Sequence, residues 1–280
     1  MSRTATARAQ IQRRRGSEAT EVDDVLAVEE PLEIRVVHGT SGEEREDPVV
    51  VTMRTPGHDP ELAAGFLFSE GILRVRSDLN RIEAAPPRAS EENGNVLRVV
   101  LADGVPFDTS RTVRSFYTTS SCGVCGKTSL DALWARTPPP VSTATPKVKA
   151  PILAAMPEAL RRAQDVFERT GGLHGAALFT DRAEVVTLRE DVGRHNAVDK
   201  IVGERFLAGA LPLPDSILLV SGRASFEILQ KAILAGIPFV AAVGAPSSMA
   251  VDVAKEFGMT LVGFLRGASF NIYAGAQRIA

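Results

Sequence analysis

Apolar positions along the chain follow two periods, and the switch between them marks its organisation. From about Val22 to Tyr117 the content is mixed. Leu32-Glu33-Ile34-Arg35-Val36 alternates apolar and polar residues, as a half-buried strand does. Pro48-Val49-Val50-Val51-Thr52-Met53 and Asn95-Val96-Leu97-Arg98-Val99-Val100-Leu101 are further β-rich runs. Asp59-Pro60-Glu61 predicts a helix start, with Asp59 as cap, Pro60 in the first turn and Glu61 at the positive helix end. Leu62, Phe66 and Leu67 give that helix an apolar face, and Gly71 a stop.

Thr137-Pro138-Pro139-Pro140 to Ala150-Pro151 lacks periodicity and is rich in Pro, Thr, Ser and Lys, so it reads as a linker or exposed connection. Beyond it the pattern changes. Pro157 to Arg169 predicts an amphipathic helix ended by Gly171-Gly172. Strands are expected at Ala176–Phe179, Glu184–Leu188, Ser216–Val220, Phe239–Val243 and Thr260–Leu265. Helices are expected at Asn196–Leu207, Ser225–Ala235 and Pro246–Phe257. Strands this apolar, alternating with helices, argue for a buried parallel sheet. The expected class is α/β, or α+β over the whole chain. Residues 22–145 would form a smaller, mixed, β-rich unit and residues 146–280 an α/β unit.

Composition narrows the function. An apolar fraction of 44% and a charged fraction of 24% are those of an ordinary soluble globular protein. The formal net charge of −2 gives no electrostatic case for nucleic-acid binding. No apolar run reaches the roughly 18 residues of a membrane span. Arg3, Arg8, Arg13, Arg14 and Arg15 crowd the start, and residues 1–21 read as a disordered basic tail. A twin-arginine export signal would continue into an apolar stretch, but Gly16-Ser17-Glu18-Ala19-Thr20-Glu21 follows, so a cytoplasmic location is expected.

The 280 residues contain only two cysteines, in Ser121-Cys122-Gly123-Val124-Cys125-Gly126-Lys127. Flanking glycines leave the sulfurs uncrowded, and Lys127 favours the nucleophilic thiolate. Taken alone, the pair fits persulfide transfer, a redox dithiol or part of a zinc site. Zinc needs about four ligands, whereas there is no second C-x-x-C and His38, His58, His174 and His195 are scattered. Ser121 to Thr128 also approaches a phosphate-binding loop, but Ser121 stands where its first glycine belongs.

Two further constellations stand out. Ser221-Gly222-Arg223-Ala224-Ser225, Gly244-Ala245-Pro246-Ser247-Ser248 and Arg266-Gly267-Ala268-Ser269 each follow a predicted strand. In an open α/β sheet such turns share one edge, where ligands bind, and helix N-termini with arginines suit phosphate. Ordinary helix capping is the competing reading of each turn. The polar run Arg189-Glu190-Asp191-Val192-Gly193-Arg194-His195-Asn196 precedes an amphipathic helix, with His195 and Asp199 on one helix face, and suits substrate binding, proton donation or loop fixing. His174, in Thr170-Gly171-Gly172-Leu173-His174-Gly175, is a weaker candidate of the same kind.

Together these residues resemble the formate dehydrogenase accessory sulfurtransferase family (FdhD/NarQ). The likeness runs from about Glu29 to Tyr273. Its strings are Met53-Arg54-Thr55-Pro56-Gly57-His58, Ser120 to Lys127, Thr170 to Gly175, Glu190 to Asn196, and Val220-Ser221-Gly222-Arg223. The resemblance implies a sulfur carrier that takes sulfur from a cysteine desulfurase as a cysteine persulfide. It would pass that sulfur to the molybdenum bis-guanine-dinucleotide cofactor destined for the formate dehydrogenase catalytic subunit. Cys122 is the expected carrier and Cys125 its helper. The family's cofactor segment falls on Phe264, Leu265, Arg266, Gly267, Ala268 and Ser269, and the sheet-edge reading adds Gly222, Arg223, Ser247 and His195. GDP should mimic the ligand. The resemblance further implies a homodimer and a C-terminal unit similar to the cytidine deaminase fold. Deaminase chemistry is not expected, because no His-x-Glu precedes a Pro-Cys-x-x-Cys. The rival expectation is a chaperone that binds the cofactor without carrying sulfur.

Overall fold

The described strands sort into three sheets, and each reflects a different apolar pattern. The computed structural model describes residues 4–40, 42–85, 95–108 and 145–280. Cys122, Cys125 and most of the proline-rich stretch lie outside these residues.

The first sheet corrects the expectation of a disordered tail. β1 (Thr6–Arg15) and β2 (Glu18–Ala27) form an antiparallel hairpin. Gly16, at φ 64, makes the tight turn. Alternation places Ala7, Ala9 and Ile11 on one face, opposite Leu26, Asp24 and Val22. The arginine-rich strand lies beside an acid-rich one, with Arg15 opposite Glu18, so the like charges that favour an extended tail find partners. Arg169 Nη2 ties the hairpin down through Thr6 Oγ1 at 3.3 Å.

The second sheet has the order β4-β3-β6-β5, built from β3 (Glu30–His38), β4 (Arg45–Arg54), β5 (Leu79–Ala84) and β6 (Val96–Leu101). β3 pairs antiparallel with β4 and parallel with β6. Leu32, Ile34 and Val36 alternate inward, as the sequence predicts, and pack with Leu62 and Leu67 of α1 (Asp59–Ser69). His58, at φ 59, rather than Asp59, occupies the N-cap of α1. Asp59 is drawn away by Arg54, whose Nε and Nη2 each reach a carboxylate oxygen at 2.9 Å.

The third sheet has the order β12-β11-β10-β9-β7-β8. It comprises β7 (His174–Phe179), β8 (Val185–Asp191), β9 (Ile217–Val220), β10 (Phe239–Ala242), β11 (Thr260–Arg266) and β12 (Ser269–Ala274). β9, β10 and β11 are parallel, as their apolar runs predict. The margins are antiparallel instead, because β7, β8 and β12 are joined to neighbours by hairpins or reversed returns. One face, including Leu178, Leu218, Val220 and Val240, packs on α4 (Arg194–Leu207), α5 (Phe226–Leu234) and α6 (Ser248–Glu256). The other, including Phe179, Leu219 and Phe239, packs on α2 (Ala150–Ala163). The result is a helix–sheet–helix sandwich, which confirms the α/β class.

Two boundaries differ from expectation. The helix predicted over Pro157–Arg169 is two: α2 begins at Ala150 and carries Pro157 inside it, and α3 (Asp165–Thr170) follows a break at Gln164. The supposed linker is packed from Pro146 on, with Val148 only 2% exposed and bridged to Ile279.

Candidate functional site at the sheet edge

The three turns singled out in the sequence converge. Gly244 N–H donates to Gly222 O at 3.0 Å, and Phe264 N–H donates to Gly244 O at 3.0 Å. A Cβ on Gly244 would stand 2.8 Å from Gly222 O, so only glycine lets these backbones approach. The ladder extends to β7, where Gly175 N–H donates to Ser221 Oγ at 2.9 Å and Ser221 N–H to Gly175 O at 2.9 Å. His174, at the start of β7, thus joins the same edge.

The nominated side chains behave differently from one another. Arg266 and Ser269 are exposed and flank the β11–β12 turn of Gly267 and Ala268. Arg266 Nε lies 3.4 Å from Val243 O. Phe264 is 43% exposed and holds φ 53, an unusual backbone for a bulky residue. Leu265 is fully buried in the sheet core, so it supports the segment from below. Ser247 Oγ accepts from Ala250 N–H at 3.2 Å and caps α6, the ordinary role of such a serine. Arg223 is exposed at the turn after β9.

His195 sits in the first turn of α4. Its Nε2 lies 3.1 Å from Ser225 Oγ and its Nδ1 3.4 Å from Glu227 Oε2. Burial pushes its pKa down to about 4, helped by Arg194, Lys231 and His174 and opposed by Glu227, so the ring is neutral at pH 7. His174 is lowered by burial first, then by the Arg194 and Arg223 guanidinium groups, against the pull of Asp191. A Cβ on Gly222 would lie 3.4 Å from His174 Nδ1 and 3.6 Å from Arg194 Cδ. The sheet edge therefore gathers His174, Arg194, His195, Gly222, Arg223, Ser225 and Glu227. Of these, the sequence reads Arg194 only as part of the polar run Arg189 to Asn196, and it assigns no role to Glu227. Their signal was faint: Arg194 adjoins His195, and Glu227 follows the Ser225 turn.

What fixes α4 is a second network, from two of the sequence strings. The Asp191 carboxylate, fully buried, accepts from Thr55 N–H at 3.2 Å, Gly193 N–H at 2.8 Å and Asn196 Nδ2 at 3.0 Å. Lys200 Nζ reaches Asp191 Oδ2 at 2.7 Å and Thr55 O at 3.0 Å. Asn196 Nδ2 also donates to Met53 O at 2.8 Å. Thus Met53–Thr55 and Asp191–Asn196 hold each other, and the start of α4 cannot shift without breaking buried bonds.

Lower on α4, Lys231 Nζ pairs with Asp199 at 2.9 Å, and Ser69 Oγ donates to Asp199 at 3.1 Å. Burial opposes the charge of Lys231, but the Asp199 and Glu227 carboxylates outweigh it and hold the ammonium firmly protonated. A cavity of about 430 Å³ lined by Thr145, Pro146, Lys147, Thr180, Asp181 and Asp215 opens at the opposite ends of the strands, away from this cluster. Among the described residues no group of His, Cys, Asp or Glu is arranged to hold a metal ion, and no helix is long and apolar enough to cross a membrane.

A mixed α/β fold with polar turns gathered at one sheet edge defines the class. Comparison with known proteins makes it particular. The FdhD/NarQ family model matches residues 27–280, and the chain belongs to that family. It is 52% identical over 283 residues to the sulfur carrier protein FdhD of Streptomyces avermitilis, covering 100% of this chain and 97% of that one. It is 52% identical over 284 residues to the protein of the same name from Mycobacterium tuberculosis, covering 98% and 99%. The crystal structure of a protein from Desulfotalea psychrophila, described as a formate dehydrogenase accessory protein, shares the fold. Its TM-score is 0.74 at 21% identity, covering 99% of this chain and 100% of that one.

Proposed function

We propose that this protein is a sulfurtransferase that carries sulfur as a persulfide on Cys122, with Cys125 assisting its release. The sulfur comes from a cysteine desulfurase and goes to the molybdenum bis-guanine-dinucleotide cofactor, which is the substrate here. The protein acts in the cytoplasm as a homodimer and serves the formate dehydrogenase catalytic subunit. The observation that carries the reading is the convergence of the turns at Gly222, Gly244 and Phe264 on one sheet edge, where backbone and arginines suit a nucleotide. The names of the relatives, sulfur carrier proteins, support the same role.

Each part has chemical work to do. A thiolate flanked by glycines attacks the outer sulfur of the desulfurase persulfide, whose cysteine leaves as a thiolate, and then presents that sulfur unhindered. Phe264, Arg266, Gly267, Ala268 and Ser269 hold the nucleotide end of the substrate, with Leu265 anchoring the segment in the core. Gly222 and Arg223 line the adjoining turn, Ser247 keeps α6 capped beside it, and His195 holds the turn at Ser225.

The deciding measurement is mass spectrometry of the peptide containing Cys122 and Cys125 after incubation with a desulfurase and cysteine. A gain of one sulfur atom, absent in Cys122→Ala, is expected. Cells carrying Cys122→Ala should lose formate dehydrogenase activity. GDP binding without any sulfur adduct would instead make the protein a cofactor-docking chaperone.

A further inference from the structure

The edge of the third sheet carries positive charge at two separate places. Arg266 lies on β11, while Arg194, His174 and Arg223 gather around β9 and β7. In the order β11-β10-β9-β7 three strand spacings separate Arg266 from His174, about 14 Å at the usual interval.

At the second place the groups are prepared for an anion. Arg194 Nε is buried and has no hydrogen-bond partner, a costly state for a charged donor. Among the described residues neither Arg194 nor Arg223 has an ion pair with an acid. The nearby carboxylates are engaged elsewhere: Asp191 holds Lys200, and Glu227 faces His195 and Lys231. Two helix N-termini meet here, since His195 of α4 bonds to Ser225, the N-cap of α5. Ser225 is a natural capping residue, yet its side chain makes no cap bond, and α4 begins at Gly193, which has none to give. Both helices therefore present uncapped amides beside the two arginines. The His174 ring makes no hydrogen bond among the described residues, and burial favours its neutral form, so the ring can donate one hydrogen bond without adding a charge.

We propose that Arg194, Arg223 and His174, around Gly222, form an oxyanion subsite that takes a phosphate or diphosphate group independently of Arg266. The assignment of its ligand as part of the nucleotide substrate rests on the function proposed above; the subsite itself rests on the geometry. The Arg194 and Arg223 guanidinium groups contact the phosphoryl oxygens. Gly222 leaves the approach open, and the α5 amides complete the cradle.

The test is calorimetric titration of the full chain with inorganic pyrophosphate. Arg194→Gln should weaken this binding about ten- to a hundredfold, the range for losing a charge-assisted contact. Arg194→Lys, which keeps the charge but loses the planar guanidinium fork, should fall between that and the native chain. Arg223→Gln, at an exposed position that leaves the fold unaffected, should also weaken it. Binding to the subsite should survive in Arg266→Ala. No pyrophosphate binding by the native chain would overturn the proposal. So would an unchanged isotherm in both Arg194→Gln and Arg223→Gln, or complete loss of binding in Arg266→Ala. Failure here leaves the Cys122 persulfide measurement standing, and absence of the persulfide leaves the pyrophosphate result standing.

Discussion

Helices α1 and α4 cross with their backbones in contact, and the crossing predicts how the two larger sheets are held together. Gly65 and Gly203 face each other there. A Cβ on Gly203 would stand 1.8 Å from Glu61 O, and one on Gly65 would stand 1.9 Å from Asp199 O. Ordinary contact begins near 3.4 Å, so an alanine at either place must part the helices by about 1.5 Å. Both obstacles are helix backbone and cannot rotate away. Alanine gains about 1 kcal/mol over glycine in a helix interior. Against this, parting the helices loosens Phe68 from Phe206, strains Ser69 against Asp199 and stretches Arg189 to Glu61. Overpacking of this kind costs about 1–3 kcal/mol and sometimes more. With backbone as the obstacle we place it at the top of that range, for a net loss of about 2 kcal/mol in Gly203→Ala. Both alanines open the same gap, so Gly65→Ala/Gly203→Ala should cost clearly less than the two single losses combined. Urea unfolding followed by circular dichroism measures this through the midpoint at constant slope. A Gly203→Ala chain as stable as the native one, or a strictly additive double variant, would refute the backbone-contact argument.

Other substitutions test the site and its support. Asp191→Asn leaves Lys200 buried without its counter-charge, both side chains being at most 1% exposed, and should cost about 3–5 kcal/mol in urea unfolding; Asp191→Asn/Lys200→Met should recover part of it. Arg266→Ala should weaken GDP binding by about 1.5–3 kcal/mol in calorimetry, and unchanged affinity would remove Arg266 from the site. His195 has a folded pKa of about 4, below its ordinary 6.5, so the unfolded chain binds the proton first as pH falls. Stability contributed by neutral His195 is complete above pH 6.5 and is lost between 6.5 and 4, by about 3 kcal/mol at most. His195→Gln should therefore lose less stability than the native chain over that interval. Denaturant midpoints at pH 7, 5.5 and 4.5 check it, and parallel curves would contradict it.

Legibility in the sequence followed burial. Strands β9, β10 and β11 are buried on both faces, so their apolar runs announced them, and the helices between them carried their own period. β12 gives no strand signal because Ser269–Ala274 is an edge strand whose exposed and half-buried residues do not alternate. The hairpin was missed because an arginine run reads as a tail until its acidic partner strand is counted with it. Glycines at 65 and 203 gave no sign of their role, since a glycine inside a helix is locally only a cost. Likewise no local pattern joins His195 to Ser225 and Glu227, which meet only because α4 and α5 begin at the same sheet edge.

The strings that carry the resemblance also mean something different once folded. Met53–Thr55 belongs to a string that carries the family resemblance, and its described contacts are structural: Thr55 and the Met53 carbonyl bind Asp191 and Asn196. Asp191 in turn holds Lys200 and the Gly193 amide that opens α4. The first turn of α4, with Arg194 and His195, therefore owes its position to a segment more than a hundred residues earlier in the chain. One string thus serves to aim another. For this reason Thr55→Ala and Asp191→Asn should alter ligand binding at the sheet edge although neither residue faces it.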